Sequence, residues 1–315
     1  MNTQLKNILI SGHFFLAIFL FAGCSDAPEI NDSLLDGDVI FDPSLYAPED
    51  FLVSAKFPNP TPEDLEKHIL IASHGYSAST FEWQEFMDWS AGADYRVSSL
   101  LLDGHGQTYA DFKASKWEDW RAAIIREFEL LENLGYTKIS FVGSSTSGAL
   151  LLELMETGYF DNHIKPKNIF LIDPIVVPTT KLQTIVDIVG PMLVYLEADQ
   201  PAEEDQYWYR FRPYQTINEL NEVIQKVRKG LEKGITVPSG TYIKSFHSKF
   251  DPTASTTSTV LIHKGLRLSD GNKIEVQIMD SEILVFTRLS LRPSVSPVEQ
   301  SNQLDAFTQM AERLN

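Results

Sequence analysis

The chain has 315 residues, 43% of them hydrophobic and 22% charged, which is enough to bury one large core with an insertion. Its formal charge of −17 repels phosphate backbones and anionic surfaces, which argues against nucleic acid as a partner and favours neutral or apolar substrates. A single cysteine, Cys24, leaves no pair for a disulfide, so stability has to come from the core.

Residues 1–23 read as a secretory signal: Lys6, an apolar run from Phe14 to Ala22, then Gly23-Cys24. The run is short for a transmembrane helix. Small residues before a cysteine predict cleavage after Gly23 and lipidation of Cys24, although Phe21 is bulkier than the usual residue at its place. The expected product is an exported lipoprotein of a bacterial cell envelope, held at the membrane by an N-terminal palmitate-type lipid anchor. Residues 24–67 are rich in Asp, Pro and Ser, and are expected to form a tether followed by edge strands at Val39-Ile40-Phe41 and Phe51-Leu52-Val53.

Residues 68–315 alternate short apolar runs with segments of helical period. The runs are Ile69-Leu70-Ile71, Val97 to Leu102, Ile139 to Val142, Ile169 to Ile172, Tyr242 to Phe246 and Ile274 to Met279. Between them Trp120, Ile124, Phe128 and Leu131 recur at helical spacing, and Gly135 is a stop signal. This alternation predicts an α/β fold with a mostly parallel central sheet flanked by helices. It is interrupted over about residues 175–238. There an aromatic cluster, Tyr207, Trp208, Tyr209, Phe211 and Tyr214, precedes a stretch with Ile217, Leu220, Ile224, Val227 and Leu231 on one face. A helical cap over the strand ends fits this insertion, with the aromatics either lining a cleft or simply packing.

The chemistry centres on the run from Lys138 to Leu150, a buried-type strand, a Gly/Ser-rich turn and an apolar helix start. That order reads as a nucleophile elbow, in which small residues two positions away on each side let a strained serine project from the strand-to-helix corner. The flanks are Gly143 and Ser147, the latter in place of the usual glycine with Gly148 directly after it, and Ser145 is the candidate nucleophile. A serine in this role needs oxyanion donors, a base and an acid to orient the base. The turn Ala72-Ser73-His74-Gly75-Tyr76-Ser77 offers the amide of Tyr76 as one donor, and the amide of Thr146 is the other.

The order His74-Gly75, Leu102-Asp103-Gly104-His105-Gly106, then Gly143-Ser144-Ser145-Thr146-Ser147-Gly148 resembles the α/β-hydrolase superfamily, in particular its lysophospholipase and monoacylglycerol-lipase-like serine esterases. The resemblance covers about residues 68–290. It implies a cap inserted after the sixth strand, a triad in the order Ser, acid, His, and hydrolysis of carboxylic ester or lipid-like substrates without a cofactor. It also implies that Asp251, just past an apolar strand and after the cap, is the triad acid, with Asp173 as runner-up.

The family's histidine after the last strand has no counterpart, and Leu284 stands where it is expected. No histidine follows His263. Among the others, His74 and His247 are nearest the candidate site, while Asp280 and Glu282 flank the position and are candidate carboxylate bases. Three outcomes remain open: a serine esterase with an unrecognised base, an impaired hydrolase that binds an apolar ligand, or a purely structural envelope lipoprotein with no accessible pocket beneath the cap. The scattered histidines and the missing phosphate loop predict neither a metal nor a nucleotide.

Overall fold

The computed structural model describes residues 32–36, 43–179, 194–198, 200–283 and 286–315. The six apolar runs become β1 (His68–Ser73), β2 (Tyr95–Leu100), β3 (Ile139–Ser144), β4 (Asn168–Ile172), β5 (Tyr242–Ser248) and β6 (Glu275–Met279). They form one sheet in the order β6-β5-β4-β3-β1-β2, with every neighbouring pair parallel. Parallel strands need crossovers on the sheet faces, so both faces must be covered. Accordingly β3 and β4 are buried at every residue.

One face carries α1 (Trp117–Leu134), α2 (Thr146–Glu156), α3 (Tyr214–Lys233) and α4 (Thr257–Gly265), whose apolar sides join a core around Trp120, Phe128, Leu150 and Val223. The other face packs Trp83 and Phe86 against α5 (Pro297–Glu312) through Phe307 and Met310. Helix α1 starts where Asp119 accepts the Lys116 amide at 2.9 Å and stops at Gly135, whose φ of 98° a side chain would resist.

After β2 the chain crosses β1 to build β3 on the other side. At such a reversal the loops leaving β1 and β3 diverge, and a crevice opens at their carboxyl ends. The turns after β1 and β3 are the two that sequence reading marked.

Two expectations are corrected. Phe51-Leu52-Val53 is no edge strand: Pro48–Phe51 and Val53–Lys56 are single helical turns, followed by a helix at Pro62–Glu66. Pro48 and Pro62 sit in the first helical turn, where their fixed φ suits a helix and the missing N–H is not needed, and Thr61 with Asp64 closes a capping box. The insertion also follows the fourth strand of the described residues rather than the sixth, because the described residues before β1 form helical turns and no strand. The insertion contains an antiparallel pair, Tyr195–Glu197 with Phe211–Pro213, and then α3. Residues 1–23, Cys24, Val39-Ile40-Phe41 and Leu284 lie outside the described residues. No helix of the described residues is long and apolar enough to cross a membrane.

Candidate active site

Ser145 occupies the β3–α2 corner with φ 46° and ψ −107°. A non-glycine residue in this region stores about 1–3 kcal/mol of strain and persists only where its surroundings enforce it. Here its amide donates to the Ile172 carbonyl at 2.8 Å, and its carbonyl accepts from Ile175 at 3.2 Å. The flanking glycines are required by space: a Cβ on Gly143 would stand 2.8 Å from the Ser147 carbonyl carbon, and one on Gly148 2.8 Å from Pro174 Cβ. The serine at 147 has work of its own, since its hydroxyl donates to the His74 carbonyl at 2.5 Å and ties the elbow to the turn after β1.

In that turn three of four successive amides are taken. The Gly75 amide donates to Glu82 Oε1 at 3.1 Å, the Ser77 amide to His105 Nε2 at 3.2 Å, and the Ala78 amide to the Gly75 carbonyl at 3.3 Å. The Tyr76 amide makes no hydrogen bond within the described residues, and neither does the Thr146 amide at the start of α2. Gly75 lies against the elbow, because a Cβ there would meet Ser145 Cβ at 3.2 Å.

His74 and His105 build this turn. His74 Nε2 accepts the Leu102 amide at 3.0 Å, which leaves Nδ1 to donate to the Gly75 carbonyl at 2.8 Å. Burial holds the His74 ring neutral, with its pKa near 4, and both nitrogens are engaged. His105 packs edge-on against His74 with ring centroids 5.0 Å apart. His68 pairs with Ser140 at 2.7 Å, His163 with Glu132 at 2.7 Å, and His263 lies on α4.

The ends of β4 and β5 bring together Asp173, His247 and Asp251, whose donor atoms lie within 4.8 Å of one another, all buried. Asp173, with φ 45°, accepts the Ser248 amide at 2.6 Å and its hydroxyl at 3.2 Å, and stands 3.7 Å from His247 Nδ1. Asp251 Oδ1 accepts the Thr253 and Ala254 amides at 2.6 and 2.9 Å, while Oδ2 is buried with no hydrogen-bond partner among the described residues. Neither ring nitrogen of His247 has a hydrogen-bond partner among the described residues. Burial pushes the Asp251 carboxyl up to about 6 and His247 down to about 4. One imidazole and two carboxylates are a donor set that could ligate a divalent cation, and Ser248 holds the Asp173 carboxylate in place through one hydrogen bond to each oxygen. The carboxylates of Asp280 and Glu282 are exposed, Asp280 lying 3.8 Å from Lys249.

Sequence reading missed Glu82, buried beside the elbow, which accepts hydrogen bonds from both Gly75 and the Ser144 hydroxyl. It also missed Arg288, whose guanidinium lies 3.6 Å from the Trp208 ring centroid and pairs with Glu204 at 3.5 Å. Both belong to segments without a motif, so no local signal marks them. The insertion's aromatics pack on the body: Tyr207 stacks on Phe81 at 3.7 Å and Tyr209 on Phe112 at 4.3 Å.

No protein-family model matches the chain. Among solved structures it is similar to one from work on LipS and LipT, two metagenome-derived lipolytic enzymes, with 20% identity, TM-score 0.61, and 78% of this chain and 94% of that one covered. It is also similar to a soluble variant of monoglyceride lipase from Saccharomyces cerevisiae in complex with a substrate analog, at 13% identity and TM-score 0.62, covering 82% and 89%. Monoacylglycerol lipase from Paleococcus ferrophilus matches at 13% identity and TM-score 0.56, over 78% and 94%. At such identities the likeness is one of fold, and together with the parallel six-stranded sheet it gives the chain the α/β-hydrolase fold.

Proposed function

We propose that the protein is a serine hydrolase acting on carboxylic esters of acyl or lipid-like character. The observation that carries this reading is a strained Ser145 at a strand-to-helix corner, next to two unbonded backbone amides. In the proposed reaction Ser145 Oγ attacks the ester carbonyl, and the Tyr76 and Thr146 amides receive the developing oxyanion. Removing one such donor costs about 10²–10³ in rate, so a turn that leaves the Tyr76 amide unbonded supports the assignment. Asp251 is the acid of the site, with Oδ1 fixed by two amides and Oδ2 left for a hydrogen-bonding or cationic group. The similarity to lipases of known structure supports esters as the substrate class.

A second reading has its own observation: Ser145 Oγ makes no hydrogen bond to any described histidine. On that reading the chain is an impaired hydrolase that binds an apolar ligand. Fluorophosphonate labelling of the detergent-extracted full chain separates the two. Labelling abolished by Ser145→Ala is expected for the hydrolase. Labelling absent in the parent but present in Leu284→His would favour the binder.

We further infer from the run ending in Gly23-Cys24 that the chain is an exported lipoprotein anchored through Cys24. Intact mass of the protein made in a bacterial host should show the added acyl chains. A Cys24→Ser chain that differs in mass from the parent only by the exchanged side-chain atom and keeps its membrane association would overturn it.

A further inference from the structure

The proposed hydrolysis lacks a proton acceptor, and the geometry of the Gly75 turn supplies one. We propose that Glu82 is the general base for Ser145, an inference that rests on the reading of Ser145 as nucleophile. The two side chains flank the same point on Gly75: a Cβ there would stand 3.2 Å from Ser145 Cβ, 3.6 Å from Glu82 Oε2 and 3.7 Å from Ser144 Oγ. Glycine at 75 therefore leaves no side chain at that point, and Ser145 Cβ and Glu82 Oε2 stand less than about 7 Å apart. This separation lies within the reach of one bridging water or a serine rotamer change.

Glu82 is held for this task. Its Oε1 accepts the Gly75 amide at 3.1 Å and the Ser144 hydroxyl, while Oε2, the oxygen nearer the Gly75 Cβ position, accepts no hydrogen bond from a described residue. Both bonds to Oε1 come from the two turns that carry the oxyanion amides, so the base and the donors share one frame. Burial raises the carboxyl above its ordinary range, and Arg288, the Ser144 hydroxyl and the Gly75 amide hold that rise in check. The charged groups facing it are Arg288, from the segment after β6, and Glu204 of the insertion, which pairs with that guanidinium at 3.5 Å and with Arg292 at 3.9 Å. His74, at the end of β1, is neutral. A buried carboxylate near neutral pH is a stronger base than a solvated one.

In acylation the Ser145 oxygen bonds to the ester carbonyl carbon, the carbonyl π pair moves to oxygen, and the serine proton passes to the Glu82 carboxylate. Collapse restores the carbonyl, breaks the bond to the alkoxy oxygen and returns the proton from Glu82 to the departing alcohol. Water then repeats the sequence: its proton passes to Glu82 and onward to Ser145 as the acid is released.

The test is the pH dependence of fluorophosphonate labelling on the full chain. The parent rate should rise with pH to a plateau as Glu82 ionises. Glu82→Gln keeps an oxygen for the Gly75 and Ser144 donors and removes only the basicity. It should lower the plateau by about 10²–10⁴ and abolish the inflection, with no loss of melting temperature. Ser144→Ala keeps the carboxylate but deletes a donor to it, so its inflection should move to higher pH. Glu82→Gln labelled at the parent rate with the parent inflection would overturn the assignment, as would an unmoved inflection in Ser144→Ala. A parent unlabelled at every pH would instead overturn the hydrolase reading itself.

Discussion

The elbow side of the site and its acid side differ in how completely their polar groups are bonded. Around Ser145, Gly75, Ser147, Glu82 and His74 lock into one another, and the unbonded amides of Tyr76 and Thr146 lie beside the nucleophile. Beside Asp173, the buried imidazole of His247 and Oδ2 of Asp251 have no hydrogen-bond partner among the described residues. Both sides hold non-glycine residues in the strained region, Ser77 and Ser145 on the elbow side with φ of 61° and 46°, and Asp173 on the acid side with φ of 45°. Strain alone therefore does not distinguish a reacting group from a structural one. What distinguishes them is where the surrounding hydrogen bonds leave donors free.

The largest effect expected from testing that contrast is at Gly143. An alanine Cβ would press on the Ser147 carbonyl carbon and oxygen at 2.8 and 2.9 Å, and backbone cannot yield cheaply. Gly143→Ala should slow fluorophosphonate labelling about 10²-fold through displacement of the nucleophile, and lower stability by about 1–3 kcal/mol in denaturant titration.

On the acid side the expected effects are on stability and its pH dependence. Asp251, raised to about 6 from 3.8, binds more protons folded than unfolded between those values, so its contribution to stability falls as pH rises from about 4 to 6. His247, lowered from 6.5 to about 4, binds fewer when folded, so its contribution falls as pH drops from 6.5 to 4. The slopes oppose each other, and the parent should be nearly flat across this window. Asp251→Asn should expose the histidine slope and gain up to about 3 kcal/mol at pH 7, since an amide escapes the cost of a buried charge. His247→Leu should expose the aspartate slope and be stabilised by about 1 kcal/mol, because the parent leaves both ring nitrogens unsatisfied. Thermal unfolding followed from pH 4 to 8 reads both; a loss of stability at pH 7 in Asp251→Asn would mean that the bonds from Thr253 and Ala254 to the carboxylate outweigh the cost of its burial, and one in His247→Leu that the ring has a partner when folded.

The smallest effect is expected at the exposed carboxylates beyond β6. Asp280→Ala combined with Glu282→Ala should change stability by less than about 0.5 kcal/mol and leave the labelling rate unchanged. A tenfold drop in labelling would move the base from Glu82 to that loop.

Much of the scaffold was legible because local pattern is enough for it. All six strands coincide with apolar runs, and the stop of α1 falls at Gly135, since continuous apolar runs and a left-handed glycine leave few alternatives. The stretch before β1 was misread because three apolar residues in a row, Phe51-Leu52-Val53, suit a strand or a helical turn equally, and the nearby prolines decided for helix.

The sequence by itself marked the parallel α/β architecture, the strand-to-helix corner at Ser145 and the turn at His74-Gly75-Tyr76, because each is written in residues adjacent in the chain. Only the tertiary structure decided which side chains meet across that crevice. Glu82 faces the elbow across Gly75, Ser147 fastens two turns, and His247 lies between two aspartates from different loops. These contacts join residues far apart in the chain, and strand order, not local spacing, sets their distance.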